Sequence, residues 1–135
     1  MAIYLSNQVS VTVNSVDISS LVSSAIINRQ FDEVDITSMG DSGKRQTKGL
    51  ESSSLSLTFY NDSATAKTLQ TLNTAWGTSV TVVVKQTTDA VSATNPSYTM
   101  SCLINGLTPV NGAVGDISSQ SVTWNVNGTI AVATS

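Results

Sequence analysis

Alternation with a period of two runs through most of this chain and leaves little room for anything but β-structure. Leu55, Leu57 and Phe59 alternate with Ser54, Ser56, Thr58 and Tyr60. In an extended backbone successive side chains point to opposite faces, so such a stretch has one face to bury and one to leave polar. Val9, Val11 and Val13 against Gln8, Ser10, Thr12 and Asn14 repeat the pattern, as do Tyr98, Met100, Cys102 and Ile104, and then Val122, Trp124 and Val126. Residues 80–85 carry valine on both faces (Val80, Val82 and Val84 against Val83), as an interior strand requires.

Two segments break the rule. In residues 23–37, Ala25, Ile27 and Phe31 share a face, while Val34 and Ile36 fall on the other. That change of phase predicts a bulge or break near Asp32 and Glu33, by which a long strand can leave one sheet and enter another. Over residues 64–76 the period becomes helical, with Leu69, Leu72 and Trp76 three and four apart. Asn61-Asp62-Ser63 offers N-cap oxygens before this run, and Gly77 suits the left-handed position that ends a helix. The expected fold is a single mainly β domain over residues 1–135. It has two packed antiparallel sheets, sandwich- or barrel-like, one flanking helix resting Leu69, Leu72 and Trp76 on a sheet, and one long inter-strand loop.

That loop, residues 38–49 (SMGDSGKRQTKG), is polar, lacks periodicity and holds three of the six basic residues, Lys44, Arg45 and Lys48. Connections of about 12 residues without structure are uncommon in compact domains and usually functional or disordered. Only 11% of residues are charged, against about 25% in typical soluble domains. Neutral hydroxyls and amides shed water more cheaply than Lys and Glu, which suits extended protein contacts. A secreted or cell-surface β domain would share that composition. The cations at 44, 45 and 48 are read as partners for carboxylates on a neighbouring subunit, setting register, ahead of a free anion patch or a merely solvated loop.

Catalytic chemistry finds little support. No histidine occurs, which removes Ser–His and Cys–His nucleophile systems and imidazole-based zinc sites. Phosphate-cradling, dinucleotide and calcium-loop spacings are absent as well. Asp32, Glu33 and Asp35 form the one carboxylate cluster, but no apolar neighbours raise a pKa as a glycosidase acid needs. Trp76, Trp124, Tyr4, Tyr60 and Tyr98 could stack sugars; the alternation around Trp124 and the helical stripe through Trp76 favour packing instead. A net charge of −3 argues against general nucleic-acid binding. The lone Cys102 fits a reducing compartment and a buried apolar role. The first residues lack a signal-peptide pattern and no apolar run reaches about 20 residues. The expectation is a cytoplasmic product that is not an enzyme, without cofactor, metal or membrane.

The order of elements then resembles a family. VDITSMGDSGKRQTKGLESSSLSLTFYND, the helix TAKTLQTLNTAWG, the strand TVVVKQ and the final SYTMSCLINGLTPVNGAVGDISSQSVTWNVNGTI resemble the tail tube (major tail) proteins of long-tailed, non-contractile bacteriophages over about residues 9–130. The resemblance implies a virion protein, made in the host cytoplasm, that assembles into hexameric rings stacked as a hollow tube. DNA passes through its lumen without specific binding. An initiator, a tape measure and a terminator would be its further partners. It also implies that residues 38–49, with Met39, Asp41, Lys44, Arg45 and Lys48, form the inter-ring contact loop, ordering on stacking. Asp32, Glu33 and Asp35 become candidates for lumen or inter-subunit positions. The alternatives are a monomeric carbohydrate-binding or adhesin domain, or another tail component of the same fold, either a terminator or the inner tube of a contractile device.

Overall fold

The computed structural model describes residues 8–135, so the sugar-stacking reading of Tyr4 falls outside them. Ten strands, one α-helix and one 3-10 turn follow in the order β1 (Ser10–Val13), β2 (Val16–Asp17), the 3-10 turn (Ser19–Leu21), β3 (Val22–Asn28), β4 (Phe31–Asp35), β5 (Gln46–Glu51), β6 (Ser54–Tyr60), α1 (Thr68–Thr74), β7 (Ser79–Lys85), β8 (Ser97–Leu103), β9 (Ser119–Asn125) and β10 (Ala131–Ala133). They form three antiparallel sheets: five strands in the order β10-β8-β7-β1-β2, three in the order β3-β6-β9, and the pair β4-β5. The first two make a sandwich, and among the described residues no sheet closes into a barrel.

The alternating residues supply the core. Val11 and Val13 of β1, Leu55, Leu57 and Phe59 of β6, Val82 of β7, Met100 and Cys102 of β8 and Trp124 of β9 are all buried in one cluster. β7 lies between β8 and β1, with Val80, Val82 and Val84 buried on its inner face and Val83 half-buried on the other. β6 lies between β3 and β9, with Leu55 opposite Ile27 and Trp124. Left-handed backbone at Asn14 and Ser15 (φ 49° and 68°) turns β1 into β2, the geometry that matches the twist of a two-residue hairpin.

The helix is shorter than its apolar period predicts. Residues 61–63 do make turn chemistry, since Asp62 Oδ1 accepts the Ala64 amide at 2.9 Å. Ala66, however, takes a left-handed φ of 60°, so α1 begins only at Thr68, after Lys67, without a side-chain cap. Buried Thr68 anchors it by donating its hydroxyl to the Tyr60 carbonyl (2.8 Å) and accepting the Asp62 amide (3.0 Å). Leu72 is fully buried and Leu69 half-buried, but Trp76 lies beyond the helix and is 54% exposed. Gly77 ends this segment in the left-handed region (φ 78°) as expected, with its amide on the Ile104 carbonyl rather than on the helix. The chain thus turns toward β8 before a third helical turn can carry Trp76 inward.

Candidate assembly surface

The segment from β4 to β5 is an arm. Every residue of β4 is exposed, and neither strand makes more than sparse contact with any element but the other. The expected phase change is there: the register shifts between Phe31 and Glu33, the chain passing from the three-stranded sheet into the separate ribbon. Phe31 therefore does not share the inward face of Ala25 and Ile27; it stands 46% exposed on the arm.

The long loop is also more ordered than its sequence suggests. Residues 46–49 are strand, paired through Gln46 with Asp35, Thr47 with Val34 and Lys48 with Glu33. Polar residues on both faces of β5 hide that strand from a search for apolar alternation. The remaining tip is tied across its base by Ile36 N–H to the Arg45 carbonyl (3.0 Å) and by Arg45 N–H to Thr37 Oγ1 (2.8 Å). At its end Ser38 N–H donates to Asp41 Oδ2 (2.8 Å), the Asp41 amide to the Ser38 carbonyl (3.2 Å), and Gly40 takes φ 93°. This is a hydrogen-bonded turn whose third residue needs a positive φ, and it holds Met39 fully exposed.

Nine of the fifteen charged residues sit between positions 29 and 51: Arg29, Lys44, Arg45 and Lys48, with Asp32, Glu33, Asp35, Asp41 and Glu51. Lys44 and Arg45 lie at the tip, Lys48 pairs across the ribbon with Glu33, and Asp32 and Glu51 flank the base. Part of this charge is satisfied within the arm. Arg45 Nη1 lies 3.4 Å from Asp41 Oδ1, and Lys48 Nζ sits 4.8 Å above the Phe31 ring, a cation–π distance. Lys44 makes no ion pair among the described residues. Exposed apolar side chains, Phe31, Val34, Ile36, Met39 and Leu50, run the length of the arm.

Two carboxylates of the arm are held in their ionised form by neighbouring donors. The Thr37 hydroxyl and amide hold Asp35 below the usual carboxylate value, and the Ser38 amide does the same for Asp41. A depressed folded pKa stabilises above the unfolded value, about 3.9, and that contribution is lost as pH falls through the lower folded value. In an NMR titration of the isolated protein, the Thr37 and Ser38 amide shifts should hold steady from pH 7 to about 4 and move only below it.

The body surfaces are neutral by comparison. The outer face of the three-stranded sheet carries no formal charge and pairs hydroxyls across strands, Ser56 with Thr123 and Thr58 with Ser121, each at 2.9 Å. At the Tyr60 end of that sheet, residues 105–118 pack beside α1 around a buried amide. Gln120 Oε1 accepts the Thr108 amide and its Nε2 donates to Asn61 Oδ1, both at 2.7 Å, while Asn61 Nδ2 reaches Ser118 Oγ at 2.8 Å. Gln120→Met leaves two of these groups without partners, at about 1–3 kcal/mol each. Thermal unfolding should drop by about 10 °C, with the sandwich's far-UV spectrum retained. This network fixes a groove of about 250 Å³ lined by Asn73, Trp76, Leu107 and Pro109.

Elsewhere, a cleft of about 330 Å³ opens over Val9, Ala25, Ile27 and Val84, with Tyr98 and Arg29 also lining it. Trp124 is fully buried and gives its indole N–H to the Gly106 carbonyl at 3.2 Å, so it cannot belong to a sugar platform. Cys102 is buried, which pushes its thiol up to about 11 and suppresses thiolate chemistry. Among the described residues no helix is long and apolar enough to cross a membrane, and no cluster of His, Cys, Asp or Glu could hold a metal. The carboxylates at 32, 33 and 35 lie on an exposed ribbon, and the downward shift of Asp35 is opposite to what a general acid needs. Searches against protein-family models and against curated proteins return no match for this chain.

Proposed function

We propose that this chain is a structural subunit that polymerises with copies of itself, as the tail tube protein of a long-tailed, non-contractile bacteriophage. In this reading hexameric rings stack into a hollow conduit for DNA. The observation that carries the self-assembly is the arm. A lone two-stranded ribbon is at best marginally stable in water, and this one exposes five large apolar side chains to solvent while making only sparse contact with the rest of the described residues. Such a surface marks a protein contact. The charge-free hydroxyl face adds a broad area that is cheap to dehydrate, and among the described residues the three-stranded sheet ends in seven-residue edge strands that unpaired would invite association.

The arm leaves the body at the Asn28/Ser54 end, away from the surfaces beside Tyr60. A contact between the arm and a different patch on the next copy is heterologous, and a heterologous contact repeats into rings or filaments. Negative-stain electron microscopy across a concentration series tests the proposal. Six-fold rings or uniform hollow filaments are expected, with or without an initiating complex added. Monomers under both conditions would sink it and return weight to a monomeric binding domain using the cleft beside Tyr98, for which glycan-induced changes in tryptophan fluorescence are the readout.

A further inference from the structure

None of the described residues occupies the groove at Trp76. Helix α1 ends along it, contributing Asn73, and the 54% exposure of Trp76 accompanies Val110, Val114 and Ile117, each at least 76% exposed on the loop alongside. Segments 73–78 and 105–118 together carry one charge, Asp116. Antiparallel pairing within the sandwich sets this region apart from the arm. Asn61 contacts Thr108 and Ser118 just past Tyr60, whereas the arm joins the sheet at Asn28 and Ser54. The six steps from Ser54 to Tyr60 span about 20 Å, and the arm projects from its end of the sheet with its residues exposed.

Resting on the self-assembly reading above, we propose that the arm tip of one copy docks in the Trp76–Leu107–Pro109 groove of a second copy. Two complementarities select this occupant. Met39, unbranched, polarizable and held at the apex by the Ser38–Asp41 turn, is suited to an irregular apolar gap beside an indole. The tip around it, residues 36–45 with Lys44 and Arg45 against Asp41, has an excess of one positive charge, and it meets a surface whose one charge is the Asp116 carboxylate. Opposite charge around an apolar contact fixes register and speeds encounter. Because donor and acceptor are different surfaces, each docked copy presents a fresh arm and a fresh groove.

Engineered cysteines test the contact directly, because Cys102 is buried and will not compete. In Met39→Cys/Asn73→Cys protein, mild oxidation under assembly conditions is expected to give a covalent ladder of dimers, trimers and longer species. Either single variant should give none. Filaments without a ladder would overturn this contact and leave self-assembly standing; neither filaments nor ladder would overturn both. A dimer formed by Met39→Cys alone would mean arm–arm pairing and also overturn it. As a second arm, Trp76→Asp and Met39→Asp should each raise the protein concentration needed for filaments about tenfold or more. Their equimolar mixture, with one intact interface, should stop at a 1:1 dimer by light scattering. Normal filaments from Trp76→Asp would contradict the proposal.

Discussion

Replacing residues 36–45 with an Asn-Gly turn will yield a folded monomer that no longer polymerises. The turn closes β4 onto β5 with the two-residue chemistry that antiparallel ribbons favour. No arm side chain belongs to the core cluster, so thermal unfolding of the body should move by only the few tenths of a kcal/mol typical of surface changes. Loss of assembly should be complete, because the deletion takes Met39, Lys44 and Arg45 together with the turn that presents them. Light scattering and microscopy on the same sample read both halves of the result. Tubes of normal appearance from the shortened protein would refute the role given to the arm.

The second large effect lies in the body. Trp124→Ala should cost about 3–5 kcal/mol, the range for removing a buried aromatic, from a total stability that is only about 5–15 kcal/mol for a native domain. Trp124 is fully enclosed, faces Leu55 across the sheet, and satisfies the Gly106 carbonyl. Its loss therefore opens a cavity between the sheets and frees the start of the loop that shapes the Trp76 groove. Chemical denaturation should show a large fall in midpoint. Trp124→Phe, which refills most of the volume but drops the hydrogen bond, should recover more than half of it. An alanine variant within 1 kcal/mol of the parent would mean that the two sheets are not held by this residue.

The β-sandwich was legible because burial imposes a two-residue period and each core strand declares it. β6 reads Leu-Ser-Leu-Thr-Phe, and the structure buries Leu55, Leu57 and Phe59 in turn. The bulge near Asp32 was legible for the same reason, as a break in that period. What could not be read is whatever the core does not touch. β5 pairs through its backbone with polar side chains on both faces, so no hydrophobic signal marks residues 46–49 as strand. Trp76 followed the helical spacing of Leu69 and Leu72, yet the backbone turns at Gly77 toward Ile104 and leaves the indole outside. The period predicted its direction from a helix that ends two residues earlier. The groove was beyond sequence reasoning altogether, because Asn73 and Pro109 are far apart in sequence and the loop that carries Pro109 is held by the Gln120–Asn61 network. Hydroxyl and amide pairs at that separation have no periodic signature.

The root of the arm carries a consequence for how the protein is made. The Ser53 carbonyl accepts the Val126 amide at 2.9 Å, and the Glu51 carboxylate accepts the Ile130 amide at 2.8 Å. β6 itself is completed only by β9, which is synthesised some sixty residues later. Pairings this distant along the chain form slowly and leave strand edges open meanwhile. On the ribosome, then, the sticky ribbon emerges early but gains these ties at its base only once β9 and residues 126–130 have been translated. Chains interrupted before β9 should carry an arm that lacks those ties at its base.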